Sequence, residues 1–178
     1  MMCRGPKPNI VTYSVLLDGF FKNHKVVQAV EVFHAMQYQG ITPDIVVYSI
    51  LINGMCKAGK IEDARKVFSS ISTKGLKPDV KTYNIMIGGL CKEALLDEAE
   101  ELLLQMEGDG CPPNDVTYNI VIQTFLKRGD KHKVMILIEE MINKNFSPDA
   151  STMAMLIDDS DYLKMIQNLE SRDRKTKS

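Results

Sequence analysis

Ile45-Val46-Val47-Tyr48-Ser49-Ile50-Leu51-Ile52-Asn53-Gly54-Met55-Cys56-Lys57 is followed by Ala58-Gly59-Lys60 and then by a second apolar-periodic stretch. Val47, Tyr48, Leu51, Ile52 and Met55 recur at helical spacing, which predicts an amphipathic helix over residues 46–58. Gly59 suits the left-handed cap that ends such a helix. Ile61, Ala64, Val67, Phe68 and Ile71 line a second helix, Gly75 stops it and Pro78 follows. Asp79 then stands where the next helix needs its N-cap. Helix, tight turn, helix and Pro-Asp junction make an αα-hairpin.

The same wording returns along the chain. Pro8, Pro43, Pro78, Pro113 and Pro148 lie 35 residues apart, as do Tyr13, Tyr48, Tyr83 and Tyr118. Gly5, Gly40, Gly75 and Gly110 keep the same period, with Asn145 in the fifth place. Self-similarity at a fixed period marks a repeat array, in which each unit buries its apolar face only against its neighbours. The expected fold is all-α, a right-handed superhelical solenoid of stacked helix-turn-helix repeats with the first helices lining the concave side. Repeats are expected at 10–44, 45–79, 80–114 and 115–149. Residues 1–9 read as the end of a preceding repeat, 150–170 as a partial repeat with a capping helix from Tyr162 to Leu169, and 171–178 as a disordered charged tail.

Leu17, Ile52, Ile87, Ile122 and Ile157 form one apolar column, and Ala29, Ala64 and Ala99 another that Val134 breaks. Gly19, Gly54 and Gly89 recur inside the first helix at a cost of about 1 kcal/mol each against Ala, which predicts close backbone contact between helices there. Cys56 and Cys91 share one repeat position and read as small core residues.

Bulk properties narrow the function. The 178 residues carry a net charge of −1, so overall charge does not make the chain a binder of polyanions, although a local basic track remains compatible with it. No apolar run approaches the roughly 20 residues of a membrane span. His24, His34 and His132 occupy unrelated repeat positions, and the four cysteines form no CxxC pair. Neither a metal-ligand spacing, a catalytic triad nor a phosphate-cradling glycine loop is present, which points to a binding protein without catalysis, cofactor or small-molecule substrate. Met1-Met2-Cys3-Arg4-Gly5 sits in phase with the last turn of a second helix rather than reading as a targeting signal. The expectation is a piece of a longer array or a truncated gene, with any transit peptide in the missing part.

Val-Thr-Tyr-Ser/Asn, an apolar stretch, Lys, a spacer and Gly-x-x-Pro-Asp, as in Val46 to Lys60 and Gly75 to Asp79, resemble the pentatricopeptide repeat. The resemblance covers residues 1 to about 158, and the uniform 35-residue length resembles the pure class of the family. The wording is most similar to plant restorer-of-fertility-type members, which implies organellar RNA processing, stability or translation control, in mitochondria or alternatively plastids. Single-stranded RNA is the implied partner, with other RNA-processing proteins beside it. The tetratricopeptide repeat is the nearest confusion, but its unit has about 34 residues and a Trp position, and this chain has no Trp. A protein-binding helical scaffold stays as the alternative.

The resemblance implies that one base per repeat is read by the residue after the Tyr and by the last residue of the repeat. The pairs here are Ser14 with Asp44, Ser49 with Asp79, Asn84 with Asn114, and Asn119 with Asp149. Asp only accepts, and so favours a base with a ring N–H, G or U, whereas Asn both donates and accepts and admits C. The family's rules agree, and the implied site is 5′-GG(C/U)U-3′. As N-caps, the Asp and Asn residues also have a structural role worth about 1 kcal/mol each. Val11, Val46 and Val116 match the position that sandwiches a base between repeats, and Lys81 departs from it. Lys22, Lys57, Lys92 and Lys127 recur at the end of each first helix, where they are expected both to contact phosphate and to complement the helix dipole.

Overall fold

In the computed structural model, residues 7–157, 160–164 and 166–167 are described. They are helical throughout their regular structure: α1 (Ile10–Lys22), α2 (Val26–Tyr38), α3 (Ile45–Lys57), α4 (Ile61–Thr73), α5 (Val80–Lys92), α6 (Leu96–Gly108), α7 (Asp115–Arg128), α8 (Lys131–Asn143) and α9 (Ala150–Leu156). No strand occurs among the described residues, and no helix among them is long and apolar enough to cross a membrane. The chain forms two compact units divided between Ala99 and Glu100.

Each first helix starts the same way. Asn9, Asp44, Asp79, Asn114 and Asp149 have extended backbone, and each side chain accepts from the N–H three residues on, at 2.7–3.0 Å. The cap satisfies a donor the helix leaves unpaired, and the Pro before it keeps the previous helix from continuing through. The turn between the helices needs one left-handed residue, supplied by Gly59 (φ 71°) and Gly129 (φ 77°) but also by His24 and Ala94, at φ 58° and 59°. Ala94 therefore holds a conformation that its Cβ opposes.

In the first unit α1 packs on α3 and α3 on α5, so first helices form a continuous layer, and α2 and α4 each pack on the first helix of their own repeat and of the next. Leu17, Ile52 and Ile87 are fully buried in that layer, with Ala29 and Ala64 equally buried beneath it. The recurrent Tyr bridges repeats. Phe33 meets Tyr48 edge-on at 6.1 Å, and Phe68 meets Tyr83 at 5.3 Å, so the second helix of one hairpin grips the first helix of the next. In the second unit α7 packs on α8 and α9, with Ile122 and Val134 fully buried and Tyr118 lying against Phe146 and under the Lys144 ammonium.

Four expectations are revised. Ile157 does not continue the apolar column: α9 ends at Leu156, which is buried, and Ile157 as its C-cap is 56% exposed. The glycine column is tight at Gly54 and Gly89 only, and against side chains rather than backbone: a Cβ at Gly54 would run into the Phe21 ring, one at Gly89 into Cys56 Sγ, and one at Gly19 meets nothing. Cys56 is buried as expected, but Cys91 is only half-buried. The closing helix begins earlier than Tyr162, with residues 160–164 and 166–167 helical and Tyr162 and Ile166 buried. The expected repeat end at residues 1–6 and the expected charged tail at 171–178 lie outside the described residues.

Candidate nucleic-acid interface

The first turn of each first helix decides which residues reach solvent. Its apolar face turns to the neighbouring helices, leaving Val11, Val46 and Val116 at 63%, 53% and 49% exposure, with Lys81 exposed in the same repeat position. An exposed apolar column at period 35 is not core packing. It offers flat hydrocarbon to whatever docks on that face.

In the first unit the predicted groups of one repeat boundary converge. A cleft of about 170 Å³ is lined by Val46 and Lys81, by Ser49 and Asp79, and by Asp18, Asn53, Ile50 and Ile85. Two successive residues of the sandwiching column thus share one cleft with one predicted reading pair. Asp18 and Asn53 were not singled out from sequence, although they share the period with Gln123, one helical turn beyond Ser14, Ser49 and Asn119. Asp18 is also ion-paired to Lys22.

The predicted reading residues are held rather than loose. The Ser49 hydroxyl lies 2.8 Å from the Ile45 carbonyl and 2.8 Å from Thr82 Oγ1, and Ser49 is buried. Thr82 in turn donates its N–H and hydroxyl to Asp79 Oδ1, at 2.7 and 2.6 Å. Asn119, also buried, accepts at Oδ1 from the Asp149 N–H (3.0 Å) and the Thr152 hydroxyl (2.7 Å), and donates from Nδ2 to the Asp115 carbonyl (2.8 Å). Gln123 Nε2 donates to Thr152 Oγ1 at 2.9 Å and reaches Asp149 Oδ1 at 3.5 Å. The Thr152 N–H, and after it the Thr152 hydroxyl, hold the Asp149 carboxyl below its usual value of 3.8. Ser14 is half-buried and bonds back to the Ile10 carbonyl at 2.8 Å, with Val47 where the later repeats have Thr. Asn84 and Asn114 are half-buried, and Asn114 caps α7 through a reciprocal capping box with Thr117. Asp44 caps α3 through the Val47 N–H.

The lysine column is exposed along its length. Lys92 Nζ lies 3.4 Å from the Lys57 carbonyl, so it meets the C-terminal end of the preceding first helix, as a dipole-complementing cation does.

Residues 8–57, 43–92, 86–127 and 113–159 match the PPR repeat family. Among solved structures, the chain is similar to the pentatricopeptide repeat protein PPR10 in complex with an 18-nt psaJ RNA element, at 26% identity and a TM-score of 0.81, covering 97% of this chain and 26% of that one. It is similar to PPR10 from maize at 26% identity and a TM-score of 0.76, covering 98% of this chain and 25% of that one. It also resembles in fold the PPR domain of Arabidopsis thaliana protein-only RNase P 1 in complex with tRNA, at 16% identity and a TM-score of 0.71 over 90% of this chain and 83% of that one. The chain spans about a quarter of the length of PPR10. No curated protein sequence matches it.

Proposed function

Because the chain belongs to the PPR repeat family, we propose that it binds single-stranded RNA, one base per repeat, without catalysing a reaction on it. The observation that carries this reading is the cleft in which Val46 and Lys81 flank Ser49 and Asp79. A base entering it stacks against hydrocarbon, a sequence-tolerant contact worth about 1–3 kcal/mol, and meets a hydroxyl and a carboxylate at its edge. The similarity to PPR10, whose structure holds an RNA element, supports the same ligand class.

Base choice follows from the groups the protein leaves to offer. Asn119 Oδ1 already accepts two hydrogen bonds, so the group it has to give is its second amide hydrogen. Asp149 uses Oδ1 for the cap, leaving its other oxygen to accept. One donor beside one acceptor complements a carbonyl and ring N–H of uracil. The proposed site is 5′-GG(C/U)U-3′, and the proposed setting, resting on the wording of the repeats, is organellar RNA processing, with mitochondria ahead of plastids.

The test is a binding competition among short RNAs that differ at one base of this site. Asn119→Ser copies the arrangement of Ser49 with Thr82, which the fold already accommodates. It is expected to move the fourth-base preference from U toward G. An unchanged U-over-G ratio removes Asn119 from the base readers, and equal binding of all single-base variants by the parent chain overturns sequence-specific recognition.

A further inference from the structure

A buried threonine recurs behind the reading residues and contacts both members of a pair, the Ser or Asn through its hydroxyl and the Asp through its N–H. Thr82 Oγ1 lies 2.6 Å from Asp79 Oδ1 and 2.8 Å from Ser49 Oγ. Thr152 Oγ1 lies 2.7 Å from Asn119 Oδ1, while the Thr152 N–H holds Asp149 Oδ1 at 2.7 Å. Both threonines are fully buried, so neither touches a bound base. Each comes from the repeat after the one whose reader it contacts. Resting on the reading above, we infer that Thr82 and Thr152 are positioning residues that set base discrimination: each fixes which face of its neighbouring Ser or Asn, and which oxygen of its Asp, is presented to the RNA.

The physical need is plain. A Ser hydroxyl rotates, and an Asn amide turns over to exchange donor for acceptor. A reader free to do either accepts more than one base. The Asn119 amide is held with oxygen inward by two donors, the Asp149 N–H and the Thr152 hydroxyl. With one of them gone, the flipped amide can offer its oxygen to the N4–H of cytosine. At the second repeat, Thr82 commits one Asp79 oxygen and limits where the Ser49 hydroxyl points.

The chain contains its own comparison. Val47 stands at this position behind Ser14 and Asp44 and is fully buried, so a β-branched apolar side chain fits without the hydroxyl. Thr82→Val and Thr152→Val are near-isosteric changes of the same kind. The first repeat, lacking the hydroxyl, is expected to discriminate least of those with an Asp partner.

The experiment uses the full chain and synthetic RNA oligonucleotides carrying 5′-GGCU-3′ or a single change at one of the four bases. Thr152→Val is expected to reduce the U-over-C ratio at the fourth base by about 3- to 10-fold, the equivalent of one hydrogen bond, with ratios at the other bases unchanged. Thr152→Ser, which keeps the hydroxyl, is expected to keep the ratio. Thr82→Val is expected to weaken the preference for G at the second base alone, and Val47→Thr to sharpen it at the first. A U-over-C ratio unaltered in Thr152→Val, or an equal loss of affinity for every RNA, overturns the inference and leaves base reading by Asn119 intact. A parent chain that binds RNA without preference at any base overturns base reading itself, and the positioning role with it.

Discussion

An aspartate at a helix N-cap has two oxygens and needs one for the cap. A single oxygen of Asp79 takes both the N–H and the hydroxyl of Thr82, and a single oxygen of Asp149 takes the Thr152 N–H, so on the proposed reading structural and recognition roles divide between the two atoms of one carboxylate. The division has a signature in pH. The Thr152 N–H and hydroxyl favour the ionised form and depress the carboxyl of Asp149. A depressed folded value means that the cap's contribution is fully present above the unfolded carboxylate pKa, about 3.9, and is lost as pH falls through the lower folded value. A carboxylate-detected NMR titration is expected to place Asp149 below 3.8 in the parent chain. In Thr152→Val the midpoint is expected to rise part of the way back, because the larger cause, the backbone N–H, remains. A midpoint unmoved by the substitution means that the hydroxyl does not serve Asp149.

At the scale of the element, the hairpin is set by local chemistry and the distance between hairpins by what stands opposite each glycine. Gly54 lies beneath the Phe21 ring of the preceding first helix, whereas Gly19 has open space where its Cβ would be. Gly54→Ala is expected to lower stability by about 1–3 kcal/mol through overpacking. Gly19→Ala is expected to raise it by up to about 1 kcal/mol through helix propensity. Thermal melting separates the two, and a loss at Gly19 equal to that at Gly54 would contradict the packing described. The period predicted both glycines alike, because a repeat shows that a position recurs and not what it faces. The helices and their caps were legible for the complementary reason: Gly59, Pro78 and Asp79 act on their own segment. Ile157 was misjudged because its burial needs a helix that has already ended at Leu156. The proposed reading pairs follow from their repeat positions, but the hydrogen bonds behind them do not. Thr82 and Thr152 look like ordinary first-turn residues until the hydroxyl is seen against a side chain 33 positions away.

Across the whole molecule, the proposed recognition combines a stacking column, a reading column and a lysine column, and their energies scale differently. Stacking of about 1–3 kcal/mol per base gives about 4–12 kcal/mol gross over four repeats, from which association costs are subtracted. The chain is therefore expected to bind its site at micromolar concentration or weaker. The net charge of −1 makes the lysines the test of how much of that is electrostatic. Each phosphate neutralised on a single strand contributes about 0.7 to the slope of log affinity against log salt. Lys57→Gln and Lys127→Gln together are expected to reduce the magnitude of that slope by about 1.4 if both ammonium groups meet phosphate, with base preferences unchanged, since no base edge is involved. The competing role is the helix dipole, worth about 0.3–1 kcal/mol per cation and visible in Lys92 against the Lys57 carbonyl. On that account the double substitution lowers the melting temperature and leaves the salt slope as it was. Titration of one RNA at several salt concentrations, with melting curves of the same proteins, distinguishes a phosphate track from a row of helix caps.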